Sequence, residues 1–94
     1  HVIANPEPDL YKKLGVIGER HGALGILTIT PSEGAIIGAD IASKAANVDL
    51  VFVDRFNGSL IINGSVSDVE TAVRDVMDVL ENLLQFTPTV VTKT

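Results

Sequence analysis

Imidazole is the commonest general base, and the chain has two, His1 and His21. His1 opens the sequence. His21 lies between glycines in the polar loop Gly18-Glu19-Arg20-His21-Gly22. Neither has a nucleophile or second base at motif spacing, so His21 reads as a solvated loop residue. The acids Asp9, Asp40, Asp54, Asp68 and Glu70 fall on different predicted elements. Their spacing assembles no carboxylate pair of the kind that works on a glycosidic bond. Asp40 and Lys44 read as an i,i+4 pair on a helix, and Asp68 and Glu70 suit the positive end of a helix dipole. The absence of cysteine excludes disulfides, thiolate chemistry and Cys-ligated metals. The glycines form neither G-x-G-x-x-G nor G-x-x-x-x-G-K-[ST]. These residues predict no catalysis, no cofactor and no metal.

Composition points elsewhere. Of 94 residues, 46% are hydrophobic and 20% charged. A domain this small has little interior to hide that much apolar surface, so part of it is expected to face other copies of the chain. The net charge of −5 and the scatter of basic residues argue against nucleic acid and anionic membranes as partners. No apolar run approaches the ~20 residues of a membrane span. The first residue is not Met and already lies in a predicted strand, which predicts an upstream extension.

The elements follow from periodicity and punctuation. His1-Val2-Ile3-Ala4 reads as a strand broken by Asn5-Pro6-Glu7-Pro8, and residues 9–14 read as a short helix stopped at Gly15. Residues 23–30 are nearly continuously apolar, as in a strand buried on both faces. Thr30-Pro31-Ser32-Glu33 predicts a capping box with Pro31 at the first helical position, and a helix to about Ala46. Its stripe of Gly34, Gly38, Ile41, Ala42 and Ala45 predicts close packing. Residues 48–56 and 59–63 read as two strands joined at Asn57-Gly58 by a type I′ turn. Ser67-Asp68-Val69-Glu70 predicts a second capping box, opening a helix that buries Val69, Ala72, Val73, Val76, Leu80 and Leu83. Residues 89–92 read as a last strand. The order is β-α-β-α-β-β-α-β. The fold class is a single two-layer α/β (α+β) domain over residues 1–94, with a ferredoxin-like core.

Three stretches together resemble the bacterial-microcompartment (BMC) shell domain. They are Ala23-Leu24-Gly25-Ile26, then Ala39-Asp40-Ile41-Ala42-Ser43-Lys44-Ala45-Ala46-Asn47-Val48-Asp49-Leu50, then Gly58-Ser59-Leu60-Ile61-Ile62-Asn63-Gly64-Ser65-Val66 followed by Val69. A His-Val-Ile-x-x-Pro segment and short acidic helix close the ordinary domain. Here His1-Val2-Ile3-Ala4-Asn5-Pro6 and Asp9-Leu10-Tyr11-Lys12-Lys13-Leu14-Gly15 come first. The chain is thus similar to the circularly permuted shell proteins of ethanolamine- and propanediol-utilisation compartments.

The resemblance implies a structural protein of the cytoplasm. It would form homohexamers that tile with other shell proteins into a wall around encapsulated enzymes. By position, Lys44 and Asn47 match the edge where hexamers meet, and Asn5 stands where the usual edge arginine would be. The hairpin Asp54-Arg55-Phe56-Asn57-Gly58 matches the loop that lines the central pore. Six copies of Asp54, Arg55 and Asn57 would then set the polarity of a narrow opening, or Asp54 and Arg55 would pair with a neighbour and hold the ring. A ligand-binding regulatory module and a small enzyme using His21 are the alternative functions.

Overall fold

The structure is a computed structural model that describes residues 1–4, 22–82 and 91. The predicted short helix at 9–14, His21, Asn5 and Leu83 lie outside the described residues. So does the predicted strand at 89–92, apart from Val91, which packs against the core without being in a strand.

Among the described residues six elements run in the order β1 (Val2–Ala4), β2 (Ala23–Thr28), α1 (Gly34–Ala45), β3 (Asp49–Asp54), β4 (Ser59–Gly64) and α2 (Val66–Asn82). The strands form one antiparallel sheet in the order β1-β2-β4-β3. Since β2 and β3 are both antiparallel to β4, they run parallel to each other, and β2-α1-β3 is a crossover with β4 inserted between its strands. By the same reasoning β4 and β1 are parallel, with β2 between them. The place beyond β2 is where a β-α-β-β-α-β unit would put the strand after its second helix. Here the strand in that place comes from the start of the chain. The rotated order anticipated from residues 1–6 is therefore visible in the sheet itself.

Both helices lie on one face of the sheet, α1 over β3 and β4, α2 over β1, β2 and β4, and they pack side by side. Val69, Ala72, Val73, Val76 and Leu80 of α2 are buried, as the 3.6 period predicts. They meet Ala23 and Leu27 of β2 and Leu60 and Ile62 of β4 in the core. The register pairs Leu24 with Asn63 on the opposite face, and both are about 1% exposed, so β2 is covered on both sides, as its continuous apolar run predicted. On α1 the buried residues are Gly34, Ala35, Gly38, Ala39 and Ala42, a stripe rotated slightly from the one expected, with Ile41 and Ala45 at its margin. A Cβ on Gly38 would lie 2.9 Å from Ile29 Cδ1 and 3.4 Å from both Leu60 Cδ2 and Val76 Cγ1. Close contact with the sheet explains a glycine that costs about 1 kcal/mol against alanine in a helix.

Both predicted capping boxes are corrected. Helix α1 starts at Gly34, and its N-cap Glu33 makes no side-chain capping bond. The Thr30–Pro31 peptide bond is cis, and Pro31 lies in the turn ahead of the helix instead of at its first position. The first amide donors are satisfied by backbone carbonyls three residues back: Gly34 to Pro31, Ala35 to Ser32 and Ile36 to Glu33, at 3.0, 3.0 and 3.2 Å. Helix α2 starts at Val66, two residues early. Its cap is Ser65, whose Oγ accepts from the Asp68 amide at 3.0 Å and donates to Asp68 Oδ2 at 3.0 Å. The functional pair is thus Ser65 with Asp68, and Ser67 is an exposed first-turn residue. Among the described residues no helix is long and apolar enough to cross a membrane.

Candidate functional site

The hairpin between β3 and β4 is not the two-residue type I′ turn that Asn57-Gly58 predicts. Asp54 pairs with Ser59, which leaves a four-residue loop, Arg55 to Gly58. Asp54 is the reason. Its Oδ1 accepts from the backbone N–H groups of Phe56 and Asn57 at 2.8 and 3.2 Å, and its Oδ2 accepts from Asn57 Nδ2 at 2.8 Å. A side chain that captures the amides two and three residues on starts the turn two residues early, at Arg55. The same donors hold the Asp54 carboxyl below its usual value, the Asn57 side chain first and the two amides after it. Gly58 closes the loop at φ +78°. Its N–H donates to the Asp54 carbonyl and its own carbonyl accepts from the Ile29 N–H, both at 2.8 Å.

Asp54 and Asn57 are therefore spent on each other. What the loop offers outward is Arg55 and Phe56, whose ring is 78% exposed. The Arg55 guanidinium carbon sits 4.9 Å from the centre of that ring, within cation–π range.

Lys44 is in the last turn of α1, where a cation suits the helix dipole. Its Nζ meets Asp40 Oδ2 at 2.9 Å, with both side chains exposed, as the i,i+4 spacing anticipated. Asn47 lies just beyond the helix and is also exposed. The N-terminal end of α1 is at the hairpin, since Ile36 lines an open hollow together with Phe52, Val53, Asp54, Arg55 and Phe56. Lys44 is eight residues further along, about 12 Å at 1.5 Å per residue. The structure thus brings residues 54–58 together at one end of α1 and sets Lys44 and Asn47 at the other.

Sequence reading passed over Ile36, Phe52 and Val53 of that hollow. Ile36, Phe52 and Val53 are 51%, 48% and 38% exposed, and Ile37 and Leu50 are exposed as well. Leu50, Phe52 and Val53 are exposed because β3 is an outer strand of the sheet. Strand order is set by non-local pairing, and the only local sign of an edge is the pair of carboxylates, Asp49 and Asp54, at its ends.

The BMC domain family model matches residues 23–93, most of the chain. The chain belongs to the BMC domain family. The match begins after β1, in keeping with a domain whose last strand has been moved to the front. Shell protein PduU of Salmonella typhimurium is 49% identical over 94 residues, covering 100% of this chain and 80% of PduU. Shell protein CutR of Streptococcus intermedius is 47% identical over 93 residues, covering 99% of this chain and 78% of CutR. CutR solved as a flat hexamer superposes with a TM-score of 0.92 over 100% of this chain and 85% of that one. CutR has also been solved as a screw, again at 0.92. These relatives are structural proteins of the microcompartment shell, and the enzymatic and metabolite-binding alternatives give way to that role.

Proposed function

We propose that six copies of this BMC-domain chain close into a ring with the hairpin 54–58 at the axis, and that rings meet edge to edge through Lys44 and Asn47. The wall so built encloses enzymes in the cytoplasm, with other shell proteins as neighbours. The observation that supports this reading is the placement of the two groups at opposite ends of α1. A tile needs an inner end and an outer edge. A hairpin tip locked by Asp54 and Gly58 is rigid enough to border a narrow opening. An exposed lysine on a helix end can reach across to the next tile.

The locked loop favours the pore-bordering role over the ring-holding one. With Asp54 engaged by its own loop, the opening takes its character from Arg55 and Phe56, a cation lying on an aromatic ring. The contact between copies in a cyclic ring is head-to-tail, and the same contact closes into a ring or winds into an open helix according to its rotation. CutR does both.

Electron microscopy of the purified protein tests the proposal. Ring-shaped particles that extend into sheets or tubes at high concentration are expected. In the Lys44→Asp variant the rings should persist and the sheets should disappear. Unaltered sheets in that variant would remove Lys44 from the edge, and an absence of rings in the parent protein would remove the shell reading.

A further inference from the structure

We infer that the Asn57–Gly58 bond is a site of spontaneous deamidation in the folded chain, and that the Asp54 carboxylate sets its pace. The reaction needs only water. The Gly58 nitrogen gives up its proton to solvent and attacks the side-chain carbonyl carbon of Asn57. The bond from that carbon to Nδ2 breaks, Nδ2 takes up a proton and leaves as ammonia, and a five-membered succinimide remains. Water then opens the succinimide at either carbonyl, leaving aspartate or isoaspartate at position 57.

Glycine is the successor that favours this attack, because it has no Cβ to crowd its nitrogen. The chain contains Asn57-Gly58 and Asn63-Gly64. Asn5 precedes a proline, which has no N–H, and Asn47 and Asn82 precede the branched Val48 and Leu83. The fold then separates the two Asn-Gly bonds. Asn63 and Gly64 are buried in β4, between β2 and β3, where water does not reach them. Asn57 is exposed in the loop.

What restrains Asn57 is its hydrogen bonding. The attacking Gly58 N–H is committed to the Asp54 carbonyl at 2.8 Å. The Asn57 N–H and Nδ2 donate to the two carboxylate oxygens of Asp54 at 3.2 and 2.8 Å. The leaving nitrogen must gain a proton, and an ionised carboxylate facing it only accepts. The loop has to open before the nitrogen attacks, so the rate follows the open fraction. The product also removes the latch, since a carboxylate at position 57 sets a like charge against Asp54 where a donor stood. On the ring reading, on which this last consequence alone rests, each modified copy adds a negative charge beside Arg55 at the opening.

Trypsin releases residues 56–74 as one peptide that carries both Asn-Gly bonds, and fragmentation mass spectrometry reads each separately. The purified protein is kept at neutral pH, folded and in urea, and sampled over weeks. In urea both asparagines should convert. In the folded protein Asn63 should stay intact, while Asn57 converts on the order of tenfold more slowly than in urea. In folded Asp54→Ala, Asn57 should convert on the order of tenfold faster than in the folded parent, with Asn63 still intact as the sign that the fold is kept. An Asn57 that stays wholly intact in the folded parent would overturn the site. A parent rate at Asn57 in Asp54→Ala, with Asn63 intact, would overturn the part given to Asp54. If both asparagines convert in Asp54→Ala, that variant has lost its fold and the parent decides: equal rates for Asn57 folded and in urea would overturn the restraint. Asn57→Asp should leave the Phe56 amide unprotected in hydrogen exchange, and retained protection would overturn the unlatching. The chemistry is read on the chain whatever its assembly, so a single-chain mass would remove the ring reading and leave the site standing.

Discussion

At the scale of single residues, Asp54 organises the hairpin. Its folded-state pKa is depressed, so the loop's hydrogen bonds are fully formed above the ordinary carboxylate range. They are lost as pH falls through the lowered value. Hydrogen exchange should show the Phe56 and Asn57 amides protected near neutral pH and unprotected in strong acid. In Asp54→Ala the same amides should be unprotected at every pH. Protection that survives the substitution would move the loop's anchor elsewhere. Gly58 has no substitute, because a Cβ there would run into the Ile29 carbonyl oxygen and the backbone sits in the left-handed region. Gly58→Ala should cost at least about 2 kcal/mol in denaturant unfolding, combining the left-handed penalty with the clash. Lys44 is different. Its exposed pair with Asp40 is worth at most about 0.5 kcal/mol, so Lys44→Ala should leave the melting temperature almost unchanged. Any loss of lattice in that variant is then a loss of contact between rings, not of fold.

At the scale of elements, Ser65 caps α2 through Asp68, and Ser65→Ala should lower unfolding free energy by about 1 kcal/mol. Ser67→Ala should change it little, although Ser67 looks the better cap in sequence. The two candidate caps show where local reasoning stops. Both motifs have the right residue types, and the choice between them depends on where the chain leaves β4 at Gly64. What was legible locally was the helix faces, for which a run such as Val69, Val73, Val76 and Leu80 has one solution. The burial of both faces of β2 at Ala23 to Gly25 and the glycine contact at Gly38 were legible too. The hairpin was legible as a hairpin but not in its length, because Arg55 and Phe56 were counted as strand residues when the Asp54 carboxylate draws them into the turn. The apolar edge was not legible at all. Phe52 and Val53 read as ordinary strand residues until the sheet order β1-β2-β4-β3 places them on its rim. The two ends proposed for the tile, the hairpin and Lys44, came from likeness to a family. Their separation along α1 came from the structure.

At the scale of the whole molecule, a thin sheet with helices on one face leaves an apolar rim that the single chain cannot cover. A composition of 46% hydrophobic residues in 94 is the same fact seen without coordinates. Two kinds of contact then divide the work. On the proposed reading, apolar contact builds the ring and a polar edge near Lys44 joins rings. The first should be insensitive to salt, since hydrophobic contact does not depend on screening. The second should weaken as ionic strength rises. Adding salt should therefore dissolve sheets into rings before it dissolves rings into chains, an order that light scattering can follow. The reverse order would mean that the two contacts have been assigned the wrong way round. The ring itself is the claim beneath all the others, and native mass spectrometry addresses it directly. The dominant species at micromolar concentration should weigh six times the 9.9 kDa chain, whereas a single-chain mass that persists as the protein is concentrated would contradict it.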